Sequence, residues 1–166
     1  QYSDTNSEQK VVEISNSNKF NQGNLNSNKQ NILYICEPIG EQAFLQYDDE
    51  KYWGYNEFDA LNYFLSKREF ISDSINKITL RLHPSEKKGK YDEIVQYYEP
   101  LIEIFSHIPL IDQISDHETI VGCESMAMVV GVIANKRVIS CIPPGFNKCI
   151  LPMDTIEHLA NIVHST

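Results

Sequence analysis

The sequence has no excess of basic residues and no long apolar run. Its 23 acidic side chains outnumber 14 basic ones, giving a formal net charge of -9. Duplex DNA and anionic membrane surfaces repel an acidic protein, so neither is an expected partner. No apolar run approaches the roughly 20 residues that a transmembrane segment needs, and the first ten residues lack the layout of a signal peptide. We therefore expect a soluble protein, and its start at Gln1 suggests a piece of a longer chain.

The cysteine pattern also lacks the spacing of a metal or redox motif. The four cysteines are far apart and include no C-x-x-C pair: Cys36, Cys123, Cys141 and Cys149. Three of them lie in or just beyond apolar, strand-like runs. Buried thiols in a reducing compartment fit this pattern better than disulfides or zinc ligands, so the sequence predicts no metal site.

Length and composition allow one ordinary domain. The chain has 166 residues, of which 42% are hydrophobic, enough for a single core. Residues 1–30 are rich in Asn, Ser, Gln and Lys and predict a flexible polar linker or tail. Residues 31–166 alternate short apolar runs with amphipathic stretches, without an internal repeat, and form the predicted domain.

Within that domain, strand-like and helical patterns alternate. Apolar, β-branched runs predict strands at 32–37, 77–83, 101–105, 119–123 and 137–141. Helical stripes fall at 58–65, 91–98, 109–114, 126–133 and 156–163. Asp154 or Thr155 is the expected cap of the last helix, and the stretch between the first strand and the first helix is predicted to be an acidic loop.

This alternation predicts a Rossmann-like, three-layer α/β/α fold. Its sheet should be mostly parallel, with five strands or slightly more in the order 3-2-1-4-5, and helices on both faces. In such sheets ligands bind beyond the carboxyl ends of the strands, where the strand order reverses. The residues that follow strands one, two and four are therefore the candidates for function.

Positive charge and a histidine follow strand two. His83 stands at the strand end, and Pro84 directs the chain out of the sheet. The histidine can donate a hydrogen bond to a phosphate or protonate a leaving phosphate oxygen, or it can simply end the strand. An anion would be favoured here because four basic residues cluster around it: Arg81, Lys87, Lys88 and Lys90.

A serine opens the helix that follows strand four. Ser125, with Met126 after it, would present a hydroxyl and free backbone N–H groups to an anion, or would cap the helix without a ligand. Glu124 is suited to accept hydrogen bonds from ribose or sugar hydroxyls. Glu37 follows strand one, where a loop touching the ligand and a solvated acidic turn are both open.

Two of these segments resemble a known pair of motifs. RLHPSEKKGKYDEI and VGCESMAMVV are similar to the His-Pro and serine motifs of the C-terminal, nucleotide-binding half of bacterial GT-B sialyltransferases, and the resemblance covers about residues 31–163. It implies that His83 contacts the CMP leaving group, as its general acid, and that Ser125 holds the phosphate. The implied donor is CMP-linked sialic acid or a related sugar, used by an inverting, metal-independent reaction without a cofactor.

The sequence departs from this family at the general base. The family supplies its base from two carboxylates followed by glycine in an N-terminal domain. Asp48-Asp49-Glu50 lacks the glycine and lies on the wrong side of strand one. The resemblance thus implies the donor half of an enzyme that needs a separate or missing N-terminal domain to bind its glycan acceptor. It further implies bacterial polysaccharide synthesis in the cytoplasm or at the inner face of the membrane.

Two other functional classes stay open. One is a GT-B transferase that binds a UDP-sugar, or a domain like UDP-N-acetylglucosamine 2-epimerase, which has a comparable helix start. The other is a non-catalytic α/β interaction module, flavodoxin-like or receiver-like. A receiver needs an aspartate cluster at the strand ends, where this chain has Glu37, His83 and Glu124.

Overall fold

The computed structural model describes residues 29–166 and is built on one six-stranded sheet. All neighbouring strands are parallel, in the order β3-β2-β1-β4-β5-β6. This confirms the predicted order of the first five strands and adds a sixth at one edge. The strands are β1 (Gln30–Ile35), β2 (Ile75–Arg81), β3 (Ile102–Ile104), β4 (Thr119–Gly122), β5 (Arg137–Ser140) and β6 (Glu157–His158).

Within residues 29–166, five α-helices and one short 3-10 helix (Arg68–Phe70) lie between these strands, and a sixth α-helix follows β6. In chain order the α-helices are α1 (Ile39–Tyr47), α2 (Glu57–Lys67), α3 (Asp92–Tyr97), α4 (Leu110–Ser115), α5 (Met126–Ile133) and α6 (Leu159–His164).

The central strand shows why the helices form two layers. Ile32 and Tyr34 of β1 point into one core, which is completed by side chains from α1, α2, α3 and α6. Leu33 and Ile35 point into the opposite core, against α4 and α5. A strand buried on both faces needs apolar residues at every position, which explains the unbroken run in the sequence. The result is the predicted Rossmann-like α/β/α sandwich.

Helix α1 corrects the sequence prediction, which placed an acidic loop after the first strand. The helix buries Ile39, Gly40 and Ala43 but exposes Phe44 and Leu45. Its apolar residues therefore do not form one stripe, which is the signal that predicts an amphipathic helix. Only packing against the sheet shows which of them are in the core.

The last helix is also shorter than predicted. The segment begins with β6, whose Glu157 and His158 pair with Ile139 and Ser140 of β5, and α6 starts only at Leu159. His158 is the N-cap residue and makes no side-chain capping bond, so the predicted cap at Asp154 or Thr155 was wrong. A two-residue strand is too short to give a period of its own in the sequence.

The remaining expectations concern the tail, the thiols and the membrane. Most of the predicted linker, residues 1–28, lies outside the described residues, whereas Gln30 begins β1. Cys36, Cys123 and Cys141 are buried, as predicted, and Cys149 is half-buried. Within residues 29–166, none of the helices combines the length and the hydropathy that crossing a membrane requires.

Candidate functional site

The candidate site lies where the strand order reverses. β1 is paired with β2 on one side and with β4 on the other, so the carboxyl ends of all three strands meet at one edge. Glu37, His83 and Ser125 follow these strands in turn. Neighbouring strands are about 4.8 Å apart, which separates the axes of β2 and β4 by roughly 10 Å. The fold thus brings the predicted residues to one edge.

Ser125 is the N-cap of α5. Its backbone is extended, with φ -65° and ψ 145°, and its Oγ accepts a hydrogen bond from the Ala127 N–H at 3.2 Å. A hydroxyl that accepts one hydrogen bond still has a proton to donate. Met126, the first residue of the helix, has 69% of its surface exposed. The capping function predicted for Ser125 is therefore present, and its hydroxyl proton stays available to a ligand.

Glu37 occupies the backbone amides that lead into α5. Its Oε2 accepts hydrogen bonds from the Cys123 N–H at 2.6 Å and from the Glu124 N–H at 3.2 Å, and its Oε1 is also 3.2 Å from the latter nitrogen. Glu37 is therefore not part of a solvated acidic turn, which was one of the two interpretations of the sequence. Its carboxylate links the end of β1 to the end of β4. Part of the anion site expected at this helix start is filled by the protein itself.

The environment of Glu37 changes its acidity. Burial raises the pKa of its carboxyl to about 7, although the backbone N–H groups of Cys123 and Glu124 act in the opposite direction. The nearby charge of Glu124 adds to the increase. Near neutral pH the site therefore contains a carboxyl group that is partly protonated.

The loop between β4 and α5 is held from both neighbouring strands. A Cβ added to Gly122 would lie 3.0 Å from Met128 Sδ and 3.4 Å from Glu37 Oε2, so glycine permits this close approach. From β5, the Ser140 hydroxyl donates to the Cys123 carbonyl at 2.7 Å. The position of Ser125 is thus fixed by packing as well as by its own helix.

His83 is exposed and oriented by its own loop. Its Nδ1 accepts the Ser85 N–H at 3.2 Å and lies 2.8 Å from Ser85 Oγ. A ring nitrogen that accepts a backbone N–H carries no proton, so the neutral imidazole has its proton on Nε2. The His83 N–H donates to Glu86 Oε2 at 2.8 Å, which fixes the turn that continues through the exposed Pro84. His83 can therefore donate a hydrogen bond through Nε2.

The structure uses Arg81 to attach α4 to the sheet. Its Nη1 donates to the Ile108 carbonyl at 2.9 Å and to Gln113 Oε1 at 2.7 Å. A contact between this nitrogen and a ligand would compete with both bonds. The basic cluster in the sequence is therefore less available than the residue types alone suggest.

Lys90 is enclosed by carboxylates. Its Nζ lies 2.5 Å from Glu57, 2.9 Å from Glu41 and 3.0 Å from Glu86, and its side chain is only 10% exposed. Burial lowers the pKa of Lys90, but the bonds to Glu57, Glu41 and Glu86 outweigh it and raise the pKa above its ordinary value. Three carboxylates more than balance this charge.

Lys87 and Lys88 remain exposed and line a cavity of about 440 Å³ beside this cluster. Glu41 and Glu50 line the same cavity, so both signs of charge face it. Of the basic residues after β2, these two lysines are the ones whose side chains face solvent.

A smaller cavity of about 180 Å³ lies beside the carboxyl ends of β1 and β4. Neither His83 nor Ser125 is among its described lining residues, which are Glu37, Ile39, Gln42, Trp53, Tyr55, Glu124, Ile142, Asn147 and Ile150. Sequence reasoning identified the two carboxylates but missed the aromatic wall, because Trp53 and Tyr55 lie in the stretch interpreted as a loop. The YWGY segment was the available signal. Trp53 is the one tryptophan of the sequence.

Comparisons with known proteins gave structural likenesses only. No protein-family model and no curated protein matches the sequence. The fold is similar to the KpsC β-Kdo 2,4 transferase of Thermosulfurimonas dismutans, with 12% identity and a TM-score of 0.49 over 82% of this chain and 40% of that one. The fold is also similar to a KpsC β-Kdo 2,7 transferase of the same organism, with 19% identity and a TM-score of 0.45 over 93% of this chain and 50% of that one.

A third solved structure, described as the glycotransferase of kitacinnamycin, gives 10% identity and a TM-score of 0.46 over 86% of this chain and 34% of that one. The chain therefore spans half or less of the length of each of these proteins. A function for this chain has to be inferred from the residues of its own site.

Proposed function

We propose that this domain is the donor-binding half of a glycosyltransferase that uses a CMP-activated sialic acid or related sugar. The supporting observation is the placement of His83 and Ser125 after the strands on either side of β1, each with a hydrogen-bond donor free for a ligand. A phosphate between them would receive the proton of His83 Nε2 and the hydroxyl proton of Ser125, beside the positive end of α5.

The chemistry proposed for this site is an inverting displacement without a metal. An acceptor hydroxyl attacks the anomeric carbon while the bond from that carbon to the CMP phosphate oxygen breaks, and CMP leaves. Donors placed around the departing phosphate stabilise the charge that develops there, and His83 can protonate the leaving oxygen. The base that takes the acceptor proton belongs, in this proposal, to a separate N-terminal domain, which also binds the glycan.

The 180 Å³ cavity is the proposed place for an uncharged ring of the donor. Water occupies about 30 Å³ per molecule, so the cavity holds roughly six waters, which is comparable to a single ring with its substituents. Trp53 and Tyr55 offer apolar surface to such a ring, and Glu124 can accept hydrogen bonds from its hydroxyl groups. In this arrangement the ribose lies against the cavity and the phosphate lies towards α5.

Calorimetric titration with CMP tests the proposal. Removing a donor to a charged phosphate costs about 1.5–3 kcal/mol, so His83→Ala and Ser125→Ala should each weaken binding by at least tenfold. His164→Ala and Ser66→Ala, two exposed residues away from the site, are the matched controls and should bind like the wild type. Trp53 fluorescence provides a second readout from the cavity wall.

Two results would refute the assignment. Equal heats in the wild type and both site variants, or no heat in any of them, would remove the phosphate site. A thermal-shift panel in which UDP stabilises the protein more than CMP does would instead favour the UDP-sugar class.

A further inference from the structure

We propose that Glu37 determines which phosphate charge the nucleotide site accepts, favouring the singly charged phosphodiester of a sugar nucleotide over a doubly charged free monophosphate. This inference rests on the proposed function and adds a specificity residue to it. Glu37 does not contact the reacting atoms; it acts through the charge that it places beside the start of α5.

The geometry places this charge next to the expected phosphate position. Glu37 is bound to the amides of Cys123 and Glu124, the two residues immediately before Ser125. A phosphate held by Ser125 must therefore share this loop with a carboxylate that already accepts its N–H groups. Each added negative charge on the phosphate raises the repulsion.

The described residues around the 180 Å³ cavity supply no positive charge to offset this repulsion. Among the described lining residues of the 180 Å³ cavity, Glu37 and Glu124 are carboxylates and none is lysine or arginine. The buried lysine on the neighbouring loop, Lys90, already faces Glu41, Glu57 and Glu86. Three cysteine thiols and one tyrosine hydroxyl also interact with Glu37. These groups are uncharged and add no positive charge: Cys36, Cys123, Cys149 and Tyr55.

The consequence for turnover follows from the charges of donor and product. The phosphate of a sugar nucleotide is a diester with one negative charge, whereas the CMP released from it acquires a second charge near neutral pH. Repulsion between close charges at a partly buried site is worth about an order of magnitude in affinity. CMP, the product, is therefore bound more weakly than the phosphodiester of the sugar nucleotide donor. This difference favours the release of CMP.

The experiment compares two probes that differ only in phosphate charge, CMP and its methyl phosphodiester, at pH 8. The wild type should bind the diester about tenfold more tightly than CMP, as measured by Trp53 fluorescence and calorimetry. Glu37→Gln keeps the size of the side chain and removes its charge, so this preference should fall to about twofold or less. Glu69→Gln, an exposed site before the amino end of β2, is the matched control and should keep the wild-type ratio.

A pH series with the diester alone provides a second measurement. The charge of the diester does not change between pH 6 and 8, whereas the pKa of Glu37 is raised to about 7. Wild-type affinity for the diester should therefore increase severalfold as the pH falls, and Glu37→Gln should show a smaller increase. Histidine also changes charge in this pH range, so the same series is run in His83→Gln, which keeps a hydrogen-bond donor without that charge. The pH dependence that remains in His83→Gln is assigned to Glu37, even if Glu37→Gln does not fold.

Each outcome supports or overturns the inference. An unchanged CMP-to-diester ratio in Glu37→Gln, or an equal loss of affinity for both probes, would show that Glu37 is only a scaffold for the loop. A wild-type affinity for the diester that does not change with pH would also show that the charge of Glu37 has no effect on binding. If neither probe binds the wild type, the nucleotide site itself is wrong, and that failure is distinguishable from a site that binds without charge discrimination.

Discussion

Glu37 shows how one buried residue links the fold to pH. Its pKa is about 7 in the folded chain, against an ordinary value of 4.5, because burial disfavours the charged form. The folded chain therefore binds this proton more tightly than the unfolded chain does. Its contribution to stability is greatest below pH 4.5 and is lost as the pH rises towards 7, an effect on the order of 3 kcal/mol.

This dependence predicts a specific difference between two proteins. Urea unfolding of the wild type and of Glu37→Gln at pH 5 and pH 8 gives the free energy of unfolding of each. The variant should gain about 2–3 kcal/mol relative to the wild type between these pH values. Other titrating groups contribute equally to both proteins, so a difference that does not change with pH would contradict the assignment.

The charge cluster around Lys90 predicts a second change at the residue scale. Lys90→Met removes the cation from Glu57 and Glu86, whose side chains are 7% and 0% exposed. Both carboxylates keep neutral hydrogen-bond donors, from Gly40 to Glu57 and from His83 and Tyr91 to Glu86. Buried carboxylates without an opposite charge are costly, so we expect a loss of about 3–5 kcal/mol in the free energy of unfolding.

The matched control for this change is Lys88→Met, at an exposed position on the same loop. Surface substitutions of this kind usually change stability by less than about 0.5 kcal/mol. Urea unfolding should separate the two variants clearly. Similar stabilities for both would mean that the carboxylates around Lys90 are solvated or protonated and do not need its charge.

At the scale of elements, helix α5 depends on a close approach to the sheet at Gly131. A Cβ at this position would lie 3.1 Å from both Ile120 Cγ1 and Val138 Cγ2, which belong to buried residues of β4 and β5. Alanine improves helix propensity by about 1 kcal/mol, but the crowding in a rigid core opposes it. We expect Gly131→Ala to reduce the free energy of unfolding by about 1–2 kcal/mol.

A double-mutant cycle isolates this contact. Val138→Ala removes the Cγ2 atom that the new methyl group would meet, so Gly131→Ala should cost less in that background. The coupling is measured from four unfolding curves. Additive effects would show that α5 shifts away from the sheet instead of pressing against Val138.

Helices α1 and α5 also show what local patterns can predict. The helical stripe of α5 behind a capping serine gave its bounds directly, because the helix packs on one sheet face and begins with a recognisable cap. Helix α1 has a proline as its N-cap and exposes Leu45 by 85%, so neither a cap signal nor a single apolar stripe marks it. Its place is decided by contacts with the sheet.

For the whole molecule, the proposed division of labour predicts binding without efficient transfer. The chain should bind CMP yet release little CMP from CMP-sialic acid in the presence of glycan acceptors, because orienting the acceptor and taking its proton belong to another domain in this proposal. A CMP-release assay measures this directly. Turnover of several per second would show that the chain contains its own acceptor site and base.

The sequence by itself determined five of the six strands and the position of the candidate residues. The alternation of apolar runs and helical stripes predicts a parallel sheet with helical crossovers. His83 and Ser125 could be placed after strands two and four because each is next to a clear strand or helix boundary. These are local signals, readable without knowing the contacts of any side chain. The role of either residue in binding a phosphate stays a prediction.

The tertiary structure alone decided what surrounds these residues. Glu37 binds the backbone amides of Cys123 and Glu124, which are 86 and 87 positions further along the chain. Lys90 contacts Glu41, which is 49 positions away, so sequence spacing gives no signal for either contact. The same packing attaches Arg81 to α4 and places Trp53 on a cavity wall. Charge balance and the shape of a site depend on distances in space, which a linear pattern of residue types does not contain.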